Sequence, residues 1–152
     1  MDAPVAYPAL REILPHRPPM ILIDELLHCG PADVVCGVTV RDGAPFVEGG
    51  RISALISLEY FAQTVAALYG YNNRHSDEFK VGMLLGTRDL ELRATHFRVG
   101  DAFTVTGQEV WSGGQMAQFR CELLRGGAEV VARAAISVLH GSPPGSPTEV
   151  RA

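Results

Sequence analysis

Apolar residues divide the chain into one long uniform stretch and several shorter alternating ones. Residues 52–71 are almost all apolar, with no polar face at helical spacing. A helix of this kind has to be covered on nearly all sides. Ser53 can cap its first turn, and Gly70 or the Asn72–Asn73 pair can end it. The pattern predicts a long central helix buried in a core.

Beyond this stretch the apolar positions follow the two-residue period of strands. Four such segments are 81–94, 101–111, 117–124 and 128–139. Glycine-containing turns separate them, and those at Ser112–Gly114 and Arg125–Gly127 resemble hairpin turns. Upstream, the pattern predicts a short helical segment over 9–14 and a strand over 34–40. The polar segment 72–80 is predicted to be an exposed loop.

A single apolar helix followed by an antiparallel meander predicts an α+β fold in which the sheet curls around the helix. This is the hotdog fold. We expect one domain over residues 1–140 and a flexible Pro/Gly/Ser-rich tail over 141–152. A single sheet of this kind leaves an open edge, which favours dimerisation through continued strand pairing.

Composition and charge are those of an ordinary globular domain. The chain has 152 residues, 47% of them hydrophobic, and a net charge of −4 without a basic stripe, which argues against nucleic-acid binding. Polar residues interrupt the stretch 52–71, so no membrane span is expected. The N-terminus lacks the pattern of a signal peptide, and we expect a cytoplasmic protein.

Cysteines and histidines give no sign of a metal site. The three cysteines form no C-x-x-C pair, which suits buried thiols in a reducing compartment better than disulfides or zinc ligands. Four histidines have no partner at metal-ligand spacing: His28, His75, His96 and His140. No metal is expected.

Glu59 is the one carboxylate within the apolar stretch. An ionised carboxylate in apolar surroundings is costly unless it is paired, hydrogen-bonded or protonated. Glu59 is therefore a candidate for acid–base chemistry with a raised pKa. The alternative is a core acid satisfied by backbone amides or by Tyr7, Tyr60 or Arg51. Pairing with Arg51 would keep Glu59 ionised and favour a non-catalytic role.

Several sequence motifs follow one another in order along the chain. Leu14-Pro-His-Arg-Pro-Pro-Met-Ile-Leu-Ile-Asp24 is one, and Leu58-Glu-Tyr-Phe-Ala-Gln63 is another. The first is similar to the N-terminal Leu-Pro-His-Arg-x-Pro signature of 3-hydroxyacyl-[acyl-carrier-protein] dehydratases, and the second resembles part of their central helix. Met83–Arg88 and Phe97–Asp101 match a strand and turn of the same family in order and spacing. The resemblance covers about residues 10–140.

The resemblance breaks where the main branch of the family carries Gly-His-Phe-Pro-Gly with its catalytic histidine. This chain has Pro45-Phe-Val-Glu-Gly-Gly-Arg51 instead. The shorter loop and the helix motif resemble the dehydratase-like branch associated with aryl polyene clusters.

The resemblance implies a dehydratase site with an acid and a base. Glu59 would protonate the departing hydroxyl and could shuttle the proton in both directions. His16 is the leading candidate for the missing base, because it lies within a family motif. In the main branch that position is not the base, so His16 could instead only anchor the proline-rich turn.

The other candidate residues would bind substrate. Amides at the start of the helix could polarise the thioester carbonyl, Gln63 could orient Glu59 or a water, Arg51 could contact phosphopantetheine, and Gly86 could let a strand pass close to an acyl chain. The full substrate-binding set is Arg51, Ser53, Ala54, Leu55, Gln63 and Gly86.

The resemblance implies a 3-hydroxyacyl dehydratase acting on chains carried on the phosphopantetheine of acyl carrier protein, in fatty-acid or polyene-type biosynthesis, with no cofactor of its own. It would work as a homodimer or as a heterodimer with a related dehydratase. Basic residues available to an acidic carrier are Arg74, Lys80, Arg88, Arg93 and Arg98. Two alternatives remain open: an acyl thioesterase, and a non-catalytic partner subunit.

Overall fold

The computed structural model describes residues 5–76 and 80–141, without the side chains of 80–83 and 141. Its helix, α1, spans Ser57–Asn72, and short 3-10 turns lie at Leu10–Glu12 and Ala54–Ile56. The strands are β1 (Glu25–Cys29), β2 (Asp33–Thr39), β3 (Arg51–Ser53), β4 (Lys80–Leu92), β5 (His96–Arg98), β6 (Ala102–Gly113), β7 (Met116–Arg125) and β8 (Glu129–Gly141).

Six strands form one antiparallel sheet in the order β1-β2-β6-β7-β8-β4, and β3 and β5 form a separate pair. The four strands predicted after residue 80 are confirmed as β4, β6, β7 and β8. All six strands of the larger sheet contact α1. The predicted antiparallel sheet wrapped around one long helix is confirmed.

The apolar stretch 52–71 is not helical from its beginning. Ile52 and Ser53 belong to β3, which pairs with β5, and a 3-10 turn precedes α1. Ser53 does act as a cap, because its hydroxyl accepts a hydrogen bond from the Leu55 amide at 3.3 Å. Strands of three residues carry too short a pattern to show a period, so the sequence did not reveal β3 or β5.

Gly70 does not end the helix, which continues to Asn72. A Cβ atom at Gly70 would collide with the carbonyl oxygen of Ile13, so this glycine lets the N-terminal segment lie directly against α1. Asn73 occupies the C-cap position, as the asparagine pair predicted.

The sheet does not close, as predicted, and its two edge strands are β1 and β4. β4 pairs with β8 on one side, and no described strand pairs with its other side. Leu85 of β4 is exposed there. Of the predicted tail, 141–152, only Gly141 is described, as the last residue of β8, and residues 77–79 of the predicted loop 72–80 also lie outside the described part. Among the described helices, none has the length and apolar content needed to cross a membrane.

Candidate active site

His16 and Glu59 line the same cavity. It has a volume of about 290 Å³ and lies between the N-terminal segment, α1 and strands β4 and β8. Its wall is otherwise apolar apart from Tyr69, and its lining comprises Pro15, His16, Glu59, Ala62, Val65, Ala66, Tyr69, Leu84, Val138 and Leu139. The fold therefore brings together the two residues predicted to form the acid–base pair.

His16 is held by the backbone of its own segment. Leu14 is buried, and the Arg17 guanidinium donates hydrogen bonds to the carbonyl oxygens of Leu14 and His16 at 3.0 and 2.9 Å. The imidazole is partly buried, and its Nδ1 atom is buried without a hydrogen-bond partner in the described part of the chain. A neutral imidazole has one acceptor nitrogen, so His16 can receive a proton at this cavity.

Gln63 positions the segment that carries His16. Its Nε2 donates to the Met20 carbonyl at 2.7 Å, and its Oε1 accepts from the Leu22 amide at 2.8 Å. The side chain is buried, so these bonds are shielded from water. Because both ends of the carboxamide are engaged by backbone, this geometry does not support the predicted role of orienting Glu59.

Glu59 is exposed in the single chain, and the prediction that it lies buried is wrong. The sheet covers the opposite side of α1, where Phe61 and Leu68 are fully buried, and Glu59 itself, near the start of the helix, is left exposed. Glu59 makes no ion pair or side-chain hydrogen bond with any described residue. Glu59 is therefore neither a core acid satisfied by hydrogen bonds nor the ion-pair partner of Arg51, the two alternatives that the sequence left open.

Glu59 also borders a second cavity, of about 430 Å³, on the outside of the molecule. Its lining is largely apolar and consists of Met20, Phe46, Ile52, Ser53, Leu55, Ile56 and Glu59. Met20, Phe46 and Leu55 are exposed. The carboxylate thus stands between an inner cavity and an uncovered apolar surface.

Two of the amides predicted to polarise a carbonyl are already engaged. The Ala54 amide donates to the Thr95 carbonyl at 2.9 Å, and the Leu55 amide donates to the Ser53 hydroxyl. Ala54 is fully buried and lines neither cavity, whereas Ser53 and Leu55 line the second.

Arg51 and Gly86 lie away from the inner cavity. Arg51 is exposed and faces Arg98 across the β3–β5 pair, where both line an open depression with Glu48. Gly86 lies in β4, and a Cβ atom there would meet open space, so no close approach explains this glycine in the single chain.

The far end of the inner cavity is formed by Tyr69, a residue not predicted from the sequence to belong to the site. Tyr69 lines it and stacks on His140, with ring centroids 4.7 Å apart and an interplanar angle of 12°. Burial, with a smaller contribution from Glu109, raises the pKa of Tyr69 above its usual range. Successive steps along Glu59, Ala62, Ala66 and Tyr69 are three, four and three residues, a helical spacing that could have revealed this face.

The cavity suits proton transfer between an imidazole and a carboxyl group. The three thiols are free, and burial raises the pKa of Cys36 to about 12, which keeps it in the unreactive thiol form. No group of three His, Cys, Asp or Glu residues with metal-binding geometry occurs within the described ranges.

Solved structures with the same fold include dehydratase and thioesterase proteins. The dehydratase heterocomplex ApeI:P from Xenorhabdus doucetiae matches with a TM-score of 0.82 and 23% identity, over 95% of this chain and 97% of that chain. A hypothetical thioesterase with coenzyme A from Streptococcus pneumoniae matches with a TM-score of 0.60 and 14% identity, over 78% of this chain and 86% of that chain. Zebra fish thioesterase superfamily member 2 matches with a TM-score of 0.58 and 17% identity, over 76% of this chain and 79% of that chain. These likenesses confirm the hotdog fold.

No functionally curated protein matches the chain. The family model of ApeP-like dehydratases, described as ApeP dehydratase, matches residues 8–149. This match spans both segments that form the inner cavity, the one around His16 and the helix with Glu59. The chain belongs to the ApeP-like dehydratase family.

Proposed function

We propose that the protein dehydrates 3-hydroxyacyl thioesters carried by acyl carrier protein, with Glu59 and His16 as its acid–base pair. The observation that carries this proposal is that both residues line one largely apolar cavity, although they come from separate segments of the chain. Acid–base catalysis requires such a geometry before it requires a particular pKa.

The proposed reaction is an elimination of water. An imidazole nitrogen of His16 takes the proton from C2, the C2–H electron pair forms the C2–C3 double bond, and the C3–O bond breaks. Protonated Glu59 gives its proton to the departing hydroxyl, which leaves as water. Transfer of the proton from His16 back to Glu59 restores the starting state, and the product is the trans-2-enoyl thioester.

This role requires Glu59 to be protonated, and its side chain is exposed in the single chain. Covering the carboxyl group with apolar surface would raise its pKa by desolvation. The exposed side chains of Met20, Phe46 and Leu55 around Glu59 are suited to such a cover. We therefore propose that a second hotdog subunit completes the site.

The proposed partner is a related dehydratase subunit. The heterocomplex ApeI:P of Xenorhabdus doucetiae, which has the same fold, supports this choice. The open edge of β4 gives a second subunit a strand with which to pair.

The uncovered Glu59 also favours a second candidate function, that of a non-catalytic subunit that stabilises an active partner. Replacing Glu59 separates the two possibilities. Glu59→Gln keeps the size of the side chain but cannot donate a carboxyl proton. Glu25→Gln, at an exposed position in β1, is the matched control.

The test measures enoyl-thioester formation by the full chain, alone and together with its partner subunit. In the complex, Glu59→Gln should lower kcat by about 10²–10⁴-fold, and Glu25→Gln should leave it unchanged. Full activity of a Glu59→Gln complex would establish the non-catalytic role. Release of free thiol from saturated acyl thioesters, without enoyl product from 3-hydroxyacyl thioesters, would establish a thioesterase.

A further inference from the structure

One face of α1 forms the long wall of the inner cavity. Glu59, Ala62, Ala66 and Tyr69 follow one another along this face and all line the cavity. With a rise of 1.5 Å per residue, Glu59 and Tyr69 are separated by about 15 Å along the helix axis. The cavity therefore extends from the carboxyl group of Glu59 towards an aromatic end.

The middle of this wall is made of small side chains. Ala62 and Ala66 leave space beside the helix, while Leu84 and Val138 form an apolar wall contributed by the sheet. Such a channel offers a carboxyl group at one end and apolar contacts along its length, with the imidazole of His16 in its lining. These are the properties needed to hold a linear apolar chain with a polar head.

The aromatic end is fixed by packing on two sides. The Tyr69 ring stacks on His140, and it also packs edge-on against Phe119 with centroids 5.9 Å apart at 84°. Phe119 is completely buried, so it cannot move aside without disturbing the core. Tyr69 is therefore a firm end wall.

We infer that Ala62, Ala66 and Tyr69 determine the length of the acyl chain that the protein accepts. The polar head of the ligand lies at Glu59, and the chain extends along Ala62 and Ala66 until its end meets Tyr69. The inference rests on the proposed function for the acyl nature of the ligand. The cavity volume of about 290 Å³ lies near the lower end of the usual range for small-molecule sites, which limits the length of chain that the cavity can enclose.

The order of the two alanines along the helix makes the inference testable. Ala66→Leu fills the cavity far from the carboxyl group, so short chains should bind normally and longer ones should lose at least about tenfold in affinity. Ala62→Leu fills it close to the carboxyl group and should weaken chains of all lengths. Ala102→Leu, at an exposed position in β6, is the control.

The probes are acyl-pantetheine analogues of graded length with a saturated acyl chain, which cannot be dehydrated, and with a methylene group in place of the thioester sulfur, which prevents hydrolysis. Their binding is measured by calorimetry with the full chain, alone and in complex with its partner subunit. Thermal unfolding verifies that each variant is folded. Equal effects of Ala66→Leu on all lengths, or none on any, would overturn the inference.

Failure of the proposed function gives a different result. If the length dependence is found but no enoyl product forms from 3-hydroxyacyl thioesters, the chain-length inference stands and the dehydratase proposal fails. If enoyl product forms and Ala66→Leu leaves the length preference unchanged, the dehydratase proposal stands and the chain-length inference fails.

Discussion

The fold fixes His16 firmly and leaves Glu59 unrestrained. The backbone around His16 is bound by Arg17 and Gln63, whereas Glu59 has no hydrogen-bond partner among the described residues. In the proposed site the segment with the base is already held in place, whereas the acid acquires a suitable environment only when another surface covers it. The two residues therefore need different experiments.

His16→Gln tests the base. Glutamine retains hydrogen-bonding capacity but cannot accept the C2 proton, so kcat of the active complex should fall by about 10²–10⁴-fold. His28→Gln is the control, because His28 is exposed and its contact with Asp33 at 2.9 Å lies at the surface. Enoyl formation and thermal unfolding are measured for both. A fully active His16→Gln complex would show that the base comes from elsewhere.

Cys36 should make stability fall at alkaline pH. Burial raises the pKa of its thiol from 9.0 to about 12, so the unfolded chain loses this proton at a lower pH than the folded chain. The contribution is fully present below pH 9 and is lost as the pH rises towards 12, at about 1.4 kcal/mol per pH unit. Urea unfolding between pH 9.5 and 10.5 should show a slope smaller by this amount in Cys36→Ala. Equal slopes would contradict the assignment.

At the scale of elements, α1 holds the N-terminal segment at two points. Gln63 binds the backbone at Met20 and Leu22, and Gly70 admits the carbonyl of Ile13. The sequence predicted the helix, but it predicted that Gln63 would orient Glu59 or a water and that Gly70 would end the helix. Their actual partners are distant in the chain, and no local pattern links them. Periodicity reports which face of an element is buried, and it does not report which backbone segment packs against that face.

Gly70→Ala should therefore be destabilising and should also impair catalysis. In an ordinary helix the change stabilises by about 0.5–1 kcal/mol. Here the added Cβ atom displaces Ile13, and with it the segment that carries His16. Gly37→Ala is the control, because a Cβ atom there would lie 3.4 Å from the flexible side chain of Glu25. We expect a lower Tm and a lower kcat for Gly70→Ala, and no change in either for Gly37→Ala. Unchanged values would show that the segment adapts without moving His16.

At the scale of the whole molecule, the sequence predicted the sheet and the helix because both depend on the balance of apolar and polar residues. It predicted the surroundings of Glu59 wrongly, because the chain leaves that part of its helix uncovered. An apolar residue is a signal of burial but does not say whether its own chain or another chain provides the cover. Because we propose that a second subunit completes the site, the surfaces around Glu59 have to be tested in the assembly.

We propose the exposed pair Arg51 and Arg98 as a surface that binds an acidic carrier. The two residues lie opposite each other across β3 and β5, and the neighbouring Ile52 and Ser53 line the cavity beside Glu59. Arg98→Glu should raise KM for carrier-bound substrate, most strongly at low salt, and should leave turnover of the same acyl group on free pantetheine unchanged. Arg120→Glu, exposed on β7, is the control. Equal effects on both substrates would place Arg98 in the reaction itself.

Leu85 tests whether the open edge of β4 joins a second hotdog subunit. Leu85 is 47% exposed at that edge, and Val110 of β6 is 50% exposed elsewhere, so the two positions differ in location and hardly in exposure. A charge introduced at the centre of an interface has to be desolvated, so Leu85→Arg should weaken assembly by at least about tenfold in Kd. Val110→Arg should leave assembly intact. Light scattering during gel filtration, at several protein concentrations, measures both. If Leu85→Arg assembles as the unmodified chain does, the subunits meet through another surface, and the cover over Glu59 must come from a different arrangement.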